Sequence, residues 1–486
     1  MNKNTTVILL VLVSICGIFL FLDRSNPSTD ERKEKDKNVF SFKADDVRRL
    51  EWAVAPGAAL VLERDEEAKD RWHLREPLQA RADAGEVGTL LSQLEFLRKD
   101  RTLEAPQSLA EYGLEPPRMR LEIKTGRGAF ACRVGSENAN QDKVYLQVEG
   151  ESGVCLVEKG LLEAFRKTAD QLRDRSLFTL DRWSLTRVEV QGTYPKVFTR
   201  QAQVPDWKLA QPLAAKANST EVNTFLGDLY GVKIKDFVTE TPQEPAAYGL
   251  AEATRTVMLS GRERQEKLLL ALGRRLEQDI LFGRLESGGP IFTVELELLG
   301  KLDRPANDYR LRQAWEEVVA EQAVFLEVTG PKSYQLKKEG ENWFVLGKAG
   351  DQGPEKSLPE KKPADGELVK QLLVKLGALE VSKFVEDQAQ DLEKYDLGEK
   401  AWHLTLATGG TPPAEKKLIV ARELAVGWLR FVRPGEGHVF AAVTTDLTEW
   451  LGKDYLAPTA PTPVAPAVPG PLKAGELPEA TPAGDG

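Results

Sequence analysis

The chain has 486 residues, 41% hydrophobic and 29% charged, which is a globular composition and long enough for about three domains. Its net charge of −9, without a long basic run, argues against nucleic acid, whose phosphates need clustered Lys and Arg. Three cysteines exclude a disulfide-dense scaffold and a four-cysteine zinc site.

At the N-terminus, Lys3 precedes an uncharged run from Asn4 to Leu22 that Asp23-Arg24 closes. Residues 7–22 alone would make about 24 Å of helix, and Thr5 and Thr6 bring it toward the ~30 Å hydrocarbon core. The run reads as a transmembrane signal-anchor over 7–22 behind a cytoplasmic tail, 1–6. A cleaved signal peptide is the competing reading, but no small-x-small pair follows the run, and Ile15 ahead of Cys16 does not fit a lipoprotein site. The short tail with Lys3 places the body of the chain outside the cytoplasm, on the periplasmic face of the inner membrane. Arg24, Arg32, Lys33, Lys35 and Lys37 count the other way under the positive-inside rule. Residues 23–38 form a charged tether with no apolar period.

From residue 39 onward one pattern occurs three times. "AEYGLEPP" (110–117), "AAYGLAEA" (246–253) and "EKYDLGEK" (393–400) are versions of one tyrosine turn. Pro77 precedes Tyr112 by 35 residues; Pro212 precedes Tyr248, and Pro359 precedes Tyr395, by 36. Trp72 and Trp207 each stand five residues before their proline, whereas an insertion near 347–358 separates Trp343 from Pro359. Six residues after each proline come Asp83, Asn218 and Asp365, residue types that cap a helix. Glu86 and Glu221 follow three residues later as capping-box partners, and Leu368 occupies that place in the third copy. Apolar residues then recur at helical spacing: Val87, Leu90, Leu91, Leu94, Leu97; Val222, Phe225, Leu226, Leu229, Val232; Val369, Leu372, Leu373, Leu376, Leu379.

Each tyrosine turn is followed by four short alternating runs, the signature of a strand meander, and then by a helical stretch. A small residue recurs after the second run, in Val134-Gly135, Leu272-Gly273 and Val420-Ala421. In the turn itself, Gly113, Gly249 and Asp396 supply a residue that tolerates positive φ. The tyrosine ring is expected to bury against the helix with its hydroxyl on backbone. The fold class is therefore α+β: three tandem repeats of a mainly antiparallel sheet with packed helices, over 39–177, 178–312 and 313–456. Residues 457–486 form a Pro/Ala-rich disordered tail.

An N-terminal anchor, Trp-x-Leu…Pro (Trp72, Leu74, Pro77; Trp207, Leu209, Pro212), an Asp or Asn cap, a leucine helix and Tyr-Gly-Leu together resemble the domain-of-unknown-function 4340 family. The resemblance runs from about residue 39 to 456 and departs in the third copy at Trp343-Phe344-Val345, the insertion and Tyr395-Asp396-Leu397. It implies a bacterial, membrane-anchored accessory subunit, of the kind often encoded beside ABC-type or gliding-motility transport components. It carries over no catalytic residue.

The residues themselves offer no catalytic, cofactor or metal site. His73, His403 and His438 lack ligand spacing, and no nucleophile elbow, phosphate loop or dinucleotide fingerprint is present. "TGRGAF" (125–130) and "LATGGTPP" (406–413) stand where hairpin turns are needed. Cys132 and Cys155 sit in strands of the first meander, either as a disulfide, if their Cα atoms approach within about 7 Å, or as two buried thiols. Trp72, Trp207 and Trp343 share one strand position, which core packing explains more simply than a glycan surface. The expected function is a non-enzymatic, membrane-tethered scaffold or accessory protein with membrane and protein partners, ABC-type permease or ATPase subunits among them. The alternative is a module that binds cell-envelope polymers.

Overall fold

The computed structural model describes residues 37–458 apart from 105, 107, 242, 243, 276, 277, 316–319, 347–360, 410–413, 424, 426, 444 and 445. The expected tail 1–6, membrane segment 7–22, most of the tether, the insertion near 347–358 and nearly all of the Pro/Ala-rich tail lie outside them. Among the described residues no helix is long and apolar enough to cross a membrane.

Nine strands build the first sheet: β1 (Val47–Val54), β2 (Leu60–Arg64), β3 (Trp72–Glu76), β4 (Ala80–Ala82), β5 (Arg101–Leu103), β6 (Met119–Thr125), β7 (Ala129–Glu137), β8 (Lys143–Val148) and β9 (Val154–Glu158). They pair antiparallel in the order β4-β3-β2-β1-β6-β7-β8-β9-β5. Alternation sets the register: Val47, Leu50 and Trp52 of β1 and Met119, Leu121 and Ile123 of β6 turn inward, so a one-residue slip would turn both sets outward. Helix α1 (Ala84–Glu95) leaves β4 at one edge and delivers the chain to β5 at the other. Its Val87, Leu90, Leu91 and Leu94 are all buried on the sheet, each a burial of roughly 1.5–3 kcal/mol before entropy is counted. Helices α2 (Gly160–Ala164) and α3 (Ala169–Leu172) close the repeat.

The same nine-strand order recurs over 187–294 and 323–442, which makes the fold α+β with three antiparallel sheets. Helices α4 (Ser219–Gly231) and α6 (Gly366–Gly377) take the place of α1; α5 (Glu297–Leu302) and α7 (Leu447–Gly452) close the second and third repeats. The chain divides into two compact units, residues 1–212 with 219–308 and residues 213–218 with 309–486.

Local chemistry agrees with the sequence at the helix starts. Asp83 accepts N–H bonds from Gly85 and Glu86 at 2.8 and 3.1 Å, and Asp365 accepts from Glu367 and Leu368 at 3.1 and 3.0 Å. Glu86, expected in a capping box, reaches instead to Lys167 between α2 and α3 and pairs with it; Glu221 pairs with Arg304 after α5. Each repeat also carries a short strand that the sequence reading passed over, between the long helix and the tyrosine turn: β5, Asp236–Thr239 and Lys383–Glu386.

The tyrosine turn lies on the sheet face away from the helix. Gly113, Gly249 and Asp396 adopt φ of 64°, 72° and 59°, as expected for this turn. The rings, however, pack on the meander rather than the helix. Tyr112 meets Tyr145 edge-on at 4.8 Å and Tyr248 meets Phe282 at 5.3 Å, while the Tyr395 hydroxyl goes to the Glu386 carboxylate instead of backbone. Beneath the turn the recurring small residue is Gly135, Ala271 or Ala421; the second-repeat counterpart is Ala271, not Gly273, because Leu270 and Val420 are matched by strand register. A Cβ at Gly135 would stand 2.2 Å from the Tyr112 carbonyl oxygen, so the first repeat closes more tightly than alanine allows.

Candidate functional site

The most elaborate polar chemistry lies where one repeat follows another. In the first unit, the segment after α3 runs extended as Arg173-Asp174-Arg175-Ser176. The Asp174 N–H donates to the Arg81 carbonyl and the Asp83 N–H to the Leu172 carbonyl, which joins the segment to β4. On its other side, the Ile234 N–H donates to the Arg175 carbonyl just after α4. Arg173 is only 4% exposed; its guanidinium stacks 3.5 Å over the Phe237 ring and grips Glu240 through two bonds of 2.5 and 3.1 Å. Arg175 donates to the Ile234 carbonyl and lies 5.8 Å from the same ring.

The second unit repeats this clasp. The Leu311 N–H donates to the Lys216 carbonyl and the Val381 N–H to the Arg312 carbonyl. Arg310, 2% exposed, sits 3.8 Å over Phe384 and 2.8 Å from the Asp387 carboxylate, with Arg312 5.4 Å from the ring. Here the charges extend further. Asp387 also lies 3.1 Å from Nδ1 of buried His438, whose Nε2 is 3.1 Å from the Ala214 carbonyl oxygen. Arg433 pairs with Glu436 at 3.3 Å. The shared pattern is Arg-x-Arg in the linking segment and an aromatic followed three residues later by an acid. In the first sheet the place of Phe237 and Phe384 falls to Thr102, opposite Cys155. At the far end Leu456, 40% exposed, takes the position of the two clasp arginines.

A second device anchors the closing helices. The Lys196 ammonium is fully buried and donates to three carbonyls, of Leu302 (2.6 Å), Arg304 (2.8 Å) and Tyr194 (3.2 Å), satisfying all three of its N–H bonds. Burial pulls its pKa down to about 8, with nearby Asp303 opposing the shift. Lys332 binds the carbonyls of Gly452 and Lys453 after α7, and the Trp52 indole N–H binds the Phe165 carbonyl after α2. Three different donors thus satisfy carbonyls at the ends of α2, α5 and α7.

The residues weighed from sequence are engaged separately. His73 Nε2 lies 3.2 Å from Asp65, and His403 Nε2 is 3.1 Å from the Gly398 carbonyl oxygen. Among the described residues no group of three His, Cys, Asp or Glu could hold a metal ion. Trp72, Trp207 and Trp343 are buried, with Arg64 and Arg200 stacked over the first two at 4.8 and 4.5 Å. Cys132 and Cys155 are free, buried thiols. Burial pushes Cys155 up to about 11 and Cys132 higher still, the opposite of what a thiolate nucleophile needs. Iodoacetamide at pH 8 should therefore leave both unlabelled in the folded chain and alkylate both in urea, as peptide mass mapping would show. Labelling of either without denaturant would contradict the burial.

The sequence reading missed Arg173, Arg310, Phe237, Phe384 and Lys196. Its one available signal was the recurrence of Arg-x-Arg at 173–175 and 310–312, at the end of the first and of the second repeat.

A family model described as "Domain of unknown function (DUF4340)" matches residues 72–253 and again 207–362. The two matches begin on Trp72 and Trp207, the equivalent strand positions of the first two repeats, and overlap across the second tyrosine turn. No curated protein matches the chain.

Proposed function

The chain belongs to the DUF4340 family, whose function is unknown, and from that premise we propose that it is a non-catalytic, membrane-anchored scaffold or accessory protein of the extracytoplasmic space, associated with an ABC-type transport system. The observation that carries the reading is the clasp. Arg173 on Phe237 joins the first two repeats, and Arg310 on Phe384 does the same work within the second unit, so buried charge goes to holding linking segments rather than to a cleft. In the first clasp guanidinium, carboxylate and ring engage one another, an arrangement suited to holding chain in place.

The anchor rests on the uncharged run from Asn4 to Leu22. The link to an ABC-type system rests on the family resemblance alone and is an inference by association. Mild crosslinking of the native protein in its own membrane, followed by detergent extraction and mass spectrometry, tests the proposal. Permease or ATPase subunits in the crosslinked product are the expected result. Recovery of monomer alone would sink the accessory reading, and recovery of wall polymer would replace it with an envelope-binding module.

A further inference from the structure

Phe96, the residue after α1, is 67% exposed. Its counterparts are Gly231, the last residue of α4, and Ala378, the residue after α6, each one residue ahead of the last apolar position of the stripe (Leu97, Val232, Leu379). Only the first repeat holds a large apolar ring in water at this place. Phe96 borders a groove of about 710 Å³ between α1 and α2, whose lining includes Leu97 and Leu161 and the cations Lys37, Arg98 and Lys99. Asp100 and Glu158 also border it; Asp100 is tied to Lys143 at 2.6 Å and Lys99 to Glu151 at 3.5 Å. The corresponding groove of the second repeat, about 630 Å³, has Gly231 where the first has Phe96.

We infer that this face of the first repeat rests on the anionic headgroup surface of the bilayer, an inference built on the membrane-anchor reading above. Aromatic and cationic side chains side by side are the chemistry of the lipid interface, where a ring enters the acyl boundary and Lys or Arg meets lipid phosphate. Where the chain enters selects the occupant. Lys37 lines the groove, and the fourteen residues 23–36 separate it from the apolar run ending at Leu22. Fully extended, the fifteen steps from Leu22 to Lys37 span at most about 54 Å, so a run embedded in a bilayer keeps the groove within that distance of its surface. Tethering at such range turns a weak interfacial contact into a populated one.

The test uses the full chain in vesicles containing phosphatidylglycerol, with a nitroxide on Gln93→Cys, which lines the groove, in a Cys16→Ser background. Flotation reports anchoring, and electron paramagnetic resonance power saturation compares collisions with oxygen and with an aqueous nickel chelate. A matching label on Asp228→Cys in the second-repeat groove is the aqueous control. The expected result is a several-fold lower nickel-to-oxygen ratio at 93 than at 228, lost on Phe96→Asp or in vesicles without anionic lipid. A floating chain with equal ratios at both sites overturns the docking and leaves the anchor standing. A label at 93 shielded from both reagents overturns it in favour of a protein occupant, either the tether itself or a second copy. A chain that fails to float overturns the anchor, and the docking with it.

Discussion

Arg173→Lys should cost the chain about 2–3 kcal/mol of stability, close to the roughly 3–5 kcal/mol expected for Arg173→Ala as the breaking of a buried ion pair. The guanidinium does three things that an ammonium cannot do together. It lies flat on Phe237 at 3.5 Å, forks both carboxylate oxygens of Glu240, and fills a site that is 4% exposed. A lysine keeps the charge but loses the plane and the fork, while its strongly hydrated head still has to be desolvated. Glu240 is 43% exposed and can rehydrate when abandoned, which keeps the alanine cost toward the low end of the range. Urea unfolding of wild type, Arg173→Lys, Arg173→Ala, Glu240→Ala and the Arg173→Ala/Glu240→Ala double variant measures the coupling directly. A lysine variant within about 0.5 kcal/mol of wild type would show that charge alone, not stacking and bidentate geometry, holds the junction.

Lys196 should give the chain a stability that depends on alkaline pH. Its folded pKa is held near 8 by burial against an ordinary 10.5, so between those values the unfolded chain binds a proton that the folded chain has released. Stability then rises with pH across that window, and the contribution is lost as pH falls through 8, amounting in total to about 3 kcal/mol. Lys196→Met should abolish the increment. It should also cost roughly 2–4 kcal/mol at neutral pH, because the Leu302, Arg304 and Tyr194 carbonyls lose their donor. Chemical denaturation of both proteins at pH 7.5 and pH 10 should show the gap between them widening with pH; a constant gap would mean that the amine does not titrate in the folded state.

What could be read from the sequence follows from how local its cause is. The helical stripes, the Asp83 and Asp365 caps and the positive-φ residues Gly113, Gly249 and Asp396 are all set within a few residues, and each stands where spacing placed it. Glu86 shows the limit of that logic. The spacing fits a capping box, but a cation brought close by the closing segment offers the carboxylate a better partner. Short edge strands such as Arg101–Leu103 fall below the length at which alternation can be seen. The clasp escaped for a different reason: Arg173 and Glu240 are 67 residues apart, and Lys196 meets the Leu302 carbonyl 106 residues away. Neither pairing carries a local signature, because burial, not composition, makes the ion pair matter. The register that makes Ala271 rather than Gly273 the counterpart of Gly135 is likewise set by strand partners and not by distance from the turn.

Helix α1 crosses the first sheet from edge to edge, and the chain joins its neighbours beside the two ends of that helix. Val39 bonds to Leu97 just after α1, and Leu172 bonds to Asp83 just before it. A pull applied through residues 37 and 176 would therefore load the two ends of α1 first, and the strands would lie to the side of the line of force. Tension between the N-terminal side of the first repeat and the segment that follows it would be carried by α1 and the Arg173 clasp, with the first sheet sheltered until that brace gives way.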